Sequence, residues 1–300
     1  MARGNTRVLT APQRDLAKLF HSLCDRHSAW QVWADFIEMT AISIQNSFER
    51  FAPTEKTAER EKRYNDIISQ YTEAEMNVFP DMVVTAAEDM ELNQDQDFLG
   101  EMFMALELGN HWKGQFFTPY SICRCMAEMM SGDEIKKLVA EKGYVSVNDP
   151  ACGAGALLIA ARNVFARYGL GSDQTLFVAQ DIDRVAGLMC YIQLSLLGCA
   201  GYVVIADSLL YPICGDSPLF PVFNENHDVW YTPAWYTDTW VMRRVLHSAD
   251  RITAPAGPPA AEAPYIPPSA AKPQHPEPIE TQPVPSPEPP VAVGEQLILF

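Results

Sequence analysis

Apolar residues recur at helical spacing through the first third of the chain. Leu16, Leu19, Phe20 and Leu23 follow the i, i+3, i+4, i+7 pattern of one buried helix face. The stretches WQVWADFIEMTAISIQNSF and DFLGEMFMALEL add further apolar helices, whereas TEKTAEREKRYNDIISQY is mostly charged and typical of a surface helix. Residues 1–112 are therefore predicted to form a helical subdomain. Its aromatic residues either pack in a core or form a partner surface.

The pattern changes over residues 113–250. YVSVND (144–149), TLFVAQD (175–181) and GYVVIAD (201–207) are β-rich, and an apolar helical stretch separates each from the next. Strands that alternate with helices indicate βαβ units and a parallel sheet that is buried on both faces. The predicted fold class is therefore α/β, with a helical subdomain in front of the sheet.

The pattern changes again after residue 250. Residues 251–293 hold 14 of the 23 prolines, and such a segment buries too little apolar area to fold. It is predicted to be a disordered, partly polyproline-II linker. Residues 294–300 end in the apolar sequence QLILF and are treated as a separate peptide.

Charge and cysteine content narrow the class of protein. The formal net charge is -16, and the sequence contains no basic stripe that would bind DNA phosphates. Contact with DNA would therefore need a small basic patch, such as Arg243–Arg244, or a partner protein. No apolar run approaches a membrane span, and the first residues lack the apolar core of a signal peptide. Seven cysteines without a CxxC pair indicate reduced thiols, no metal site and a cytoplasmic location.

The three predicted strands each end in an acidic residue: Asp149, Asp181 and Asp207. Ligands of α/β sheets bind at the carboxyl ends of strands, where glycines at the strand-to-helix turn allow close backbone approach. Gly153 and Gly155 follow the first strand. Two alternative explanations of these residues remain. The glycines could form only a tight turn while the acids only cap helices, or the residues could form an NAD site. The NAD alternative is weakened because DPACGAG lacks the third glycine of GxGxxG.

Four motifs occur in a specific order: GQFFTP (114–119), DPACGAG (149–155), AQDID (179–183) and ADSL (206–209). They resemble the S-adenosylmethionine (SAM) motifs of N6-adenine DNA methyltransferases, and are most similar to the modification subunits of type I restriction systems. The resemblance covers residues 114–210 and implies a Rossmann-like methyltransferase sheet with SAM as cofactor and DNA as substrate. Ala154 stands where the family motif has Ser or Thr.

The resemblance also implies roles for single residues. Asp149 would hold the SAM ammonium group, Asp181 the ribose hydroxyls and Asp207 the adenine amino group. The residues that close over the methionine end or complete the binding loops would be Phe117, Thr118, Pro119, Ala151, Gly153, Gly155 and Asp183.

The catalytic motif of the family is degenerate here. Its Asn-Pro-Pro-aromatic sequence orients the amino group of a flipped adenine and stacks on the base. The best counterpart lies in HDVWYTPAWY, where Thr232, Pro233 and Trp235 are the candidate catalytic residues. A threonine hydroxyl accepts from an amine less well than a carboxamide oxygen. The alternative is an ordinary Thr-Pro turn that leads into a helix.

The family fold continues beyond this point with three more strands and a target-recognition domain. We therefore expect an incomplete sheet, with target recognition supplied by a partner subunit. Two functions stay open: an active adenine N6 DNA methyltransferase, and an inactive SAM-binding accessory protein.

The C-terminal QLILF is similar to the peptide that binds bacterial sliding clamps, Gln-Leu-x-Leu-Phe. The resemblance assigns clamp contacts to Gln296, Leu297, Leu299 and Phe300. A disordered leash would raise the effective concentration of the head near its target. The alternatives are an edge strand and recognition of the prolines by a partner.

Overall fold

The computed structural model describes residues 9–49, 54–108, 117–215, 217–253, 292–293 and 296–298. The helices before the sheet are α1 (Ala11–Leu23), α2 (Ala29–Glu49), α3 (Glu55–Ile68), α4 (Glu73–Met76), α5 (Val78–Leu92), α6 (Phe98–Ala105), α7 (Tyr120–Glu128) and α8 (Gly132–Lys142). The remaining helices are α9 (Ala156–Arg167), α10 (Arg184–Leu196) and α11 (Asp238–Thr253). The strands are β1 (Val145–Asp149), β2 (Thr175–Asp181), β3 (Ala200–Ile205), β4 (Asp228–Tyr231), β5 (Ala292–Val293) and β6 (Gln296–Ile298).

Local capping residues set where several helices begin. The Thr10 hydroxyl accepts from the Gln13 N–H, while the Gln13 side chain accepts from the Thr10 N–H. Thr72 and Glu75 form the same reciprocal box at the start of α4. Each box satisfies two backbone donors that a helix start leaves without partners.

The sheet has the order β4-β3-β2-β1-β6-β5. Strands β1, β2 and β3 run parallel, with Val147 opposite Phe177 and Phe177 opposite Gly201. The predicted α/β sheet with helices in front of it is confirmed. β4, which belongs to the HDVWYTPAWY segment, runs antiparallel on the outer edge of β3, with Val203 opposite Trp230.

Alternate residues of the parallel strands point to opposite faces, as the strand period of two requires. Phe177 and Val203 join the core on the side of α9 and α10. Leu176 and Tyr202 join a smaller core with Trp240 of α11 on the other side. Both faces of the sheet are thus covered, as parallel sheets require.

The helices of residues 9–108 share one apolar core with the sheet. A single cluster of buried residues runs from Leu16 of α1 to Trp230 of β4. The Tyr191 hydroxyl of α10 donates to Oε1 of Gln45 in α2 at 3.0 Å. The predicted helical subdomain and the sheet are therefore packed together as one unit.

Residues 251–293 are predicted to be a disordered linker, but the structure has regular elements at both ends of this segment. α11 continues to Thr253, and Ala292–Val293 forms β5. β6 runs parallel to β1, with Leu297 opposite Val147, and pairs with β5 on its other side. Residues 254–291, Leu299 and Phe300 lie outside the described residues. Among the described residues, no helix combines the length and apolar character that crossing a membrane needs.

Candidate cofactor site

The end of β1 turns directly into a glycine-containing loop. Asp149 is buried, and its Oδ1 accepts from the backbone N–H of Ala151 at 3.1 Å. The loop then passes through Gly153 (φ 54°) and Gly155 (φ 93°) before α9 begins. These left-handed values favour glycine because a side chain is strained there.

Asp181, at the end of β2, ties this loop to the neighbouring strand. Its Oδ2 accepts from the Gly153 N–H at 2.8 Å and its Oδ1 from the Asp183 N–H at 2.8 Å. The Cys152 N–H also donates to the Gln180 carbonyl at 3.0 Å. The loop after β1 and the end of β2 are therefore held as one surface at the carboxyl edge of the sheet.

A cavity of about 350 Å³ opens beside Asp149. Phe117 forms one wall and lies close to the loop: a Cβ atom added to Gly153 would lie 3.0 Å from the Phe117 ring. Any residue larger than glycine would push this wall outward. The cavity is lined by Asp97, Phe117, Thr118, Cys123, Met126, Asp149, Ala151, Cys152, Gly153, Ala154, Ala156 and Leu157.

Burial controls the acid strength of the two strand-end carboxyls. Burial raises the pKa of Asp149 to about 6, and the Asp181 charge adds to the rise, while the Ala151 N–H opposes it. Burial also raises the pKa of Asp181, against the hydrogen bonds from Asp183 and Gly153. A buried carboxylate with a raised pKa is stabilised by a nearby cation, so this cavity suits a positively charged ligand.

Five of the ten predicted cofactor residues line this cavity: Phe117, Thr118, Asp149, Ala151 and Gly153. Asp181, Asp183 and Asp207 lie outside the cavity at the same edge of the sheet. Asp183 caps α10 through the Ala186 N–H, and Asp207 accepts from the N–H groups of Leu209 and Leu210. Gly155 precedes α9 and Pro119 precedes α7, so both shape the walls through the backbone.

Sequence reasoning missed several lining residues that come from other elements. Asp97 precedes α6 and is buried, Cys123 and Met126 belong to α7, and Leu157 belongs to α9. In the sequence, Asp97 stands directly before the apolar stretch FLGEMFMALEL, which is the position of a helix N-cap. It signals only a helix start, so nothing local linked Asp97 to the end of β1.

The structure places Thr232, a candidate catalytic residue, away from the cavity. Thr232 is fully buried; its Oγ accepts from the Gly201 N–H at 3.0 Å and donates to the Gly201 carbonyl at 3.1 Å. Gly201 lies opposite Phe177 near the amino end of the parallel strands. Asp181 lies four positions beyond Phe177 along β2, which is about 13 Å of strand. Thr232 therefore lies at the edge of the sheet opposite the cavity.

Pro233 and Trp235 are likewise not brought to the cavity. Pro233 opens the 3₁₀ turn Pro233–Tyr236. Trp235 is buried, stacks on Tyr231 with ring centroids 5.4 Å apart, and carries the Arg244 guanidinium at 4.2 Å. Both contacts are packing interactions of the Trp235 ring. The segment lies at the amino edge of the sheet because β4 runs antiparallel to β3. The alternative of a Thr-Pro turn before a helix describes this segment.

The predicted basic patch is also used in packing. Arg243 lies over the rings of Tyr144 and Trp240 and donates to the Asp173 carbonyl. Arg244 donates to the Trp235 carbonyl. In the described parts of the chain, no group of three or more His, Cys, Asp or Glu side chains is arranged to hold a metal ion.

A comparison with protein families identifies the chain. The family model described as N-6 DNA methylase matches residues 95–264, which is more than half of the sequence. The chain belongs to the N-6 DNA methylase family. The resemblance drawn from the four motifs is thereby confirmed at the level of the family. The match begins at residue 95 and so takes in α6, Asp97 and the whole cavity.

Comparisons with individual proteins add little to this family membership. A solved structure from Listeria monocytogenes that carries the name of a class I S-adenosylmethionine-dependent methyltransferase is 15% identical, covers 79% of both chains and has a TM-score of 0.35. A likeness this low has no bearing on function. No curated protein matches the chain.

Proposed function

We propose that this N-6 DNA methylase family protein binds SAM and methylates adenine N6 in DNA. The observation that carries the proposal is the buried Asp149 carboxyl, which lies between the glycine loop and the Phe117 wall at the carboxyl edge of the sheet. Family membership supports a methyltransferase. The adenine base and the DNA substrate come from the motif resemblance.

The residues at this edge fit SAM by charge and by shape. When bound, SAM supplies an electrophilic methyl group on a positively charged sulfur. Asp149 would accept hydrogen bonds from the SAM ammonium group, and Phe117 and Thr118 would cover the methionine end. Gly153, which leaves no room for a side chain against Phe117, lets the backbone approach the ligand. Asp181 and Asp207 would take the ribose and the adenine amino group.

SAM binding by calorimetry tests the cofactor assignment. Asp149→Ala should abolish binding because it removes the buried carboxylate that faces the cation. Asp66→Ala, at an exposed acid on α3, is the matched control and should leave binding unchanged. Absence of SAM binding by the unmodified protein would overturn the cofactor assignment and the methyltransferase proposal together.

Methyl transfer is a separate question from binding. Labelled SAM, incubated with the full chain and unmethylated genomic DNA, should transfer label to adenine. Nucleoside analysis of the digested DNA identifies the modified base. Label on cytosine would contradict the N6-adenine assignment while leaving SAM binding intact.

A second function is favoured by the position of Thr232. This residue lies at the edge opposite the cavity, which supports a chain without a group that orients a base beside the cofactor. The alternative is that the chain binds SAM without transferring its methyl group and acts as an accessory protein. SAM binding without label on DNA would support this alternative. Methyl transfer that occurs only after a second protein is added would support a partner subunit for target recognition.

Clamp binding by the C-terminal peptide is a further part of the proposal. The QLILF sequence supports it, and the backbone of Gln296–Ile298 lies between β1 and β5. A clamp that takes these residues must displace them from the edge of β1. We expect an immobilised bacterial sliding clamp to retain the full chain but not a chain that lacks residues 296–300. Deletion of residues 283–287 is the matched control, and equal retention of both deletions would contradict clamp binding.

A further inference from the structure

Gln193 joins three parts of the chain and bonds to two residues that line the cavity, Asp97 and Ala154. It is fully buried in α10, and its Oε1 accepts from the Leu99 N–H of α6 at 3.1 Å. Its Nε2 donates to Oδ1 of Asp97 at 2.7 Å and to the carbonyl of Ala154 at 2.8 Å. Both amide hydrogens and the amide oxygen are therefore used, which makes this a fully satisfied buried group.

Asp97 is held by this amide at the wall of the cavity. Its Oδ1 also accepts from the Gly100 N–H at 3.0 Å, which caps α6. The side chain is 2% exposed and lines the same cavity as Asp149. The Cys123 thiol lines the same cavity; burial raises its pKa to about 11, and the charges of Asp97 and Asp149 add to the rise. Two carboxyls thus face one small cavity.

We propose that Asp97 is a second acidic residue of the cofactor pocket, and that Gln193 is a positioning residue that links it to the glycine loop. This inference rests on the proposed function, since it assigns two more residues to the same site. Two carboxylates in one poorly solvated cavity favour a ligand with more than one positive charge. SAM has such charges at its ammonium and sulfonium groups, whereas the product S-adenosylhomocysteine keeps only the ammonium.

The pair Asp97–Gln193 consequently predicts how the pocket distinguishes cofactor from product. A charge at Asp97 attracts the sulfonium of SAM and gains nothing from the neutral sulfur of S-adenosylhomocysteine. Loss of that charge should weaken SAM binding more than product binding. Loss of Gln193 should weaken both to a similar degree, because the glycine loop contacts parts that the two ligands share.

Asp97→Asn is the informative variant because asparagine caps helices as well as aspartate does. It removes the charge and keeps an oxygen for Gly100 and Gln193. We expect the SAM Kd to rise about tenfold and the S-adenosylhomocysteine Kd by about threefold or less, measured by calorimetry. Asp97→Ser, a second capping residue without charge, gives the same comparison if the asparagine variant does not fold.

The chain supplies a matched control for a merely structural role. Asp89 and Gln96 form another buried pair, with Gln96 Nε2 donating to Asp89 Oδ2 at 2.7 Å, and neither side chain is among those that line the cavity. Asp89→Asn should leave the ratio of the two dissociation constants unchanged. Gln193→Leu should raise both constants together, whereas Gln96→Leu should raise neither.

The outcomes separate this inference from the proposed function. SAM binding by the unmodified protein with an unchanged ratio in Asp97→Asn would overturn the role of Asp97 alone. Binding of both ligands by Gln193→Leu at unmodified affinity would overturn the role of Gln193. No binding of either ligand by the unmodified protein would overturn the proposed function, and the inference with it.

Discussion

The backbone N–H of Gly153 donates to Oδ2 of Asp181 at 2.8 Å, which joins the loop after β1 to the end of β2. The other carboxylate oxygen accepts from Asp183. An acid that would bind the cofactor ribose therefore also shapes the loop beneath the cofactor. Substitutions at Asp181 should affect folding as well as binding.

Asp181→Asn should lower the free energy of unfolding. An amide offers one acceptor oxygen, so one of the two loop N–H groups would face a donor and lose its partner, at a cost of about 1–3 kcal/mol. Urea unfolding measures the change. Asp66→Asn on the exposed face of α3 is the control. Equal stability of both variants would show that these two hydrogen bonds contribute nothing.

Asp149→Asn should stabilise the ligand-free protein at pH 7 while removing SAM binding. Burial raises the pKa of Asp149 from 3.8 to about 6, so between these values the folded state holds the proton more tightly than the unfolded state. Stability attributable to Asp149 therefore falls as pH rises through this window. Above this pH window, the ionised Asp149 carboxylate lowers the free energy of unfolding by roughly 2–3 kcal/mol.

The free energy of unfolding, measured from pH 4 to pH 8, tests the direction of this pH dependence. The unmodified protein should lose stability relative to Asp149→Asn as pH rises from 4 to 6, after which the difference should stay constant. A variant that is less stable than the unmodified protein at pH 7 would show that the Asp149 charge is compensated in the free protein.

Thr232→Val should destabilise the protein without changing SAM affinity. The hydroxyl makes two buried hydrogen bonds to the backbone of Gly201. Valine would leave the Gly201 N–H without this partner, at a cost of about 1–3 kcal/mol, whereas the Gly201 carbonyl still accepts from the backbone N–H of residue 232. Thr232→Ser retains the hydroxyl and should recover most of the loss. Loss of SAM binding or of methyl transfer in a fully folded Thr232→Val protein would restore a role for Thr232 at the active site.

Tyr191→Phe should destabilise the helices and the sheet together. The lost hydrogen bond to Gln45 joins α10 to α2 through the shared core and contributes about 1 kcal/mol. Circular dichroism and tryptophan fluorescence should report one coincident unfolding transition, shifted equally for both probes. Two separate transitions would show that residues 9–108 fold independently of the sheet.

Sequence alone determined the local chemistry of the cofactor edge. The alternation of strands and helices predicted the parallel core, and the acids that end the three strands predicted where a ligand would bind. Such features are readable because strand period, glycine turns and strand-end acids depend on neighbours in the chain. Asp149, Gly153 and Asp181 accordingly lie together as expected.

Tertiary structure decided which residues from distant parts of the chain lie at the cavity. Thr232 directly follows β4, so its position depends on which edge of the sheet that strand joins and in which direction it runs. Asp97 and Gln193 lie 96 positions apart and meet only because α6 packs against α10. No local pattern encodes such pairings, since they follow from how the elements bury their apolar surfaces against each other.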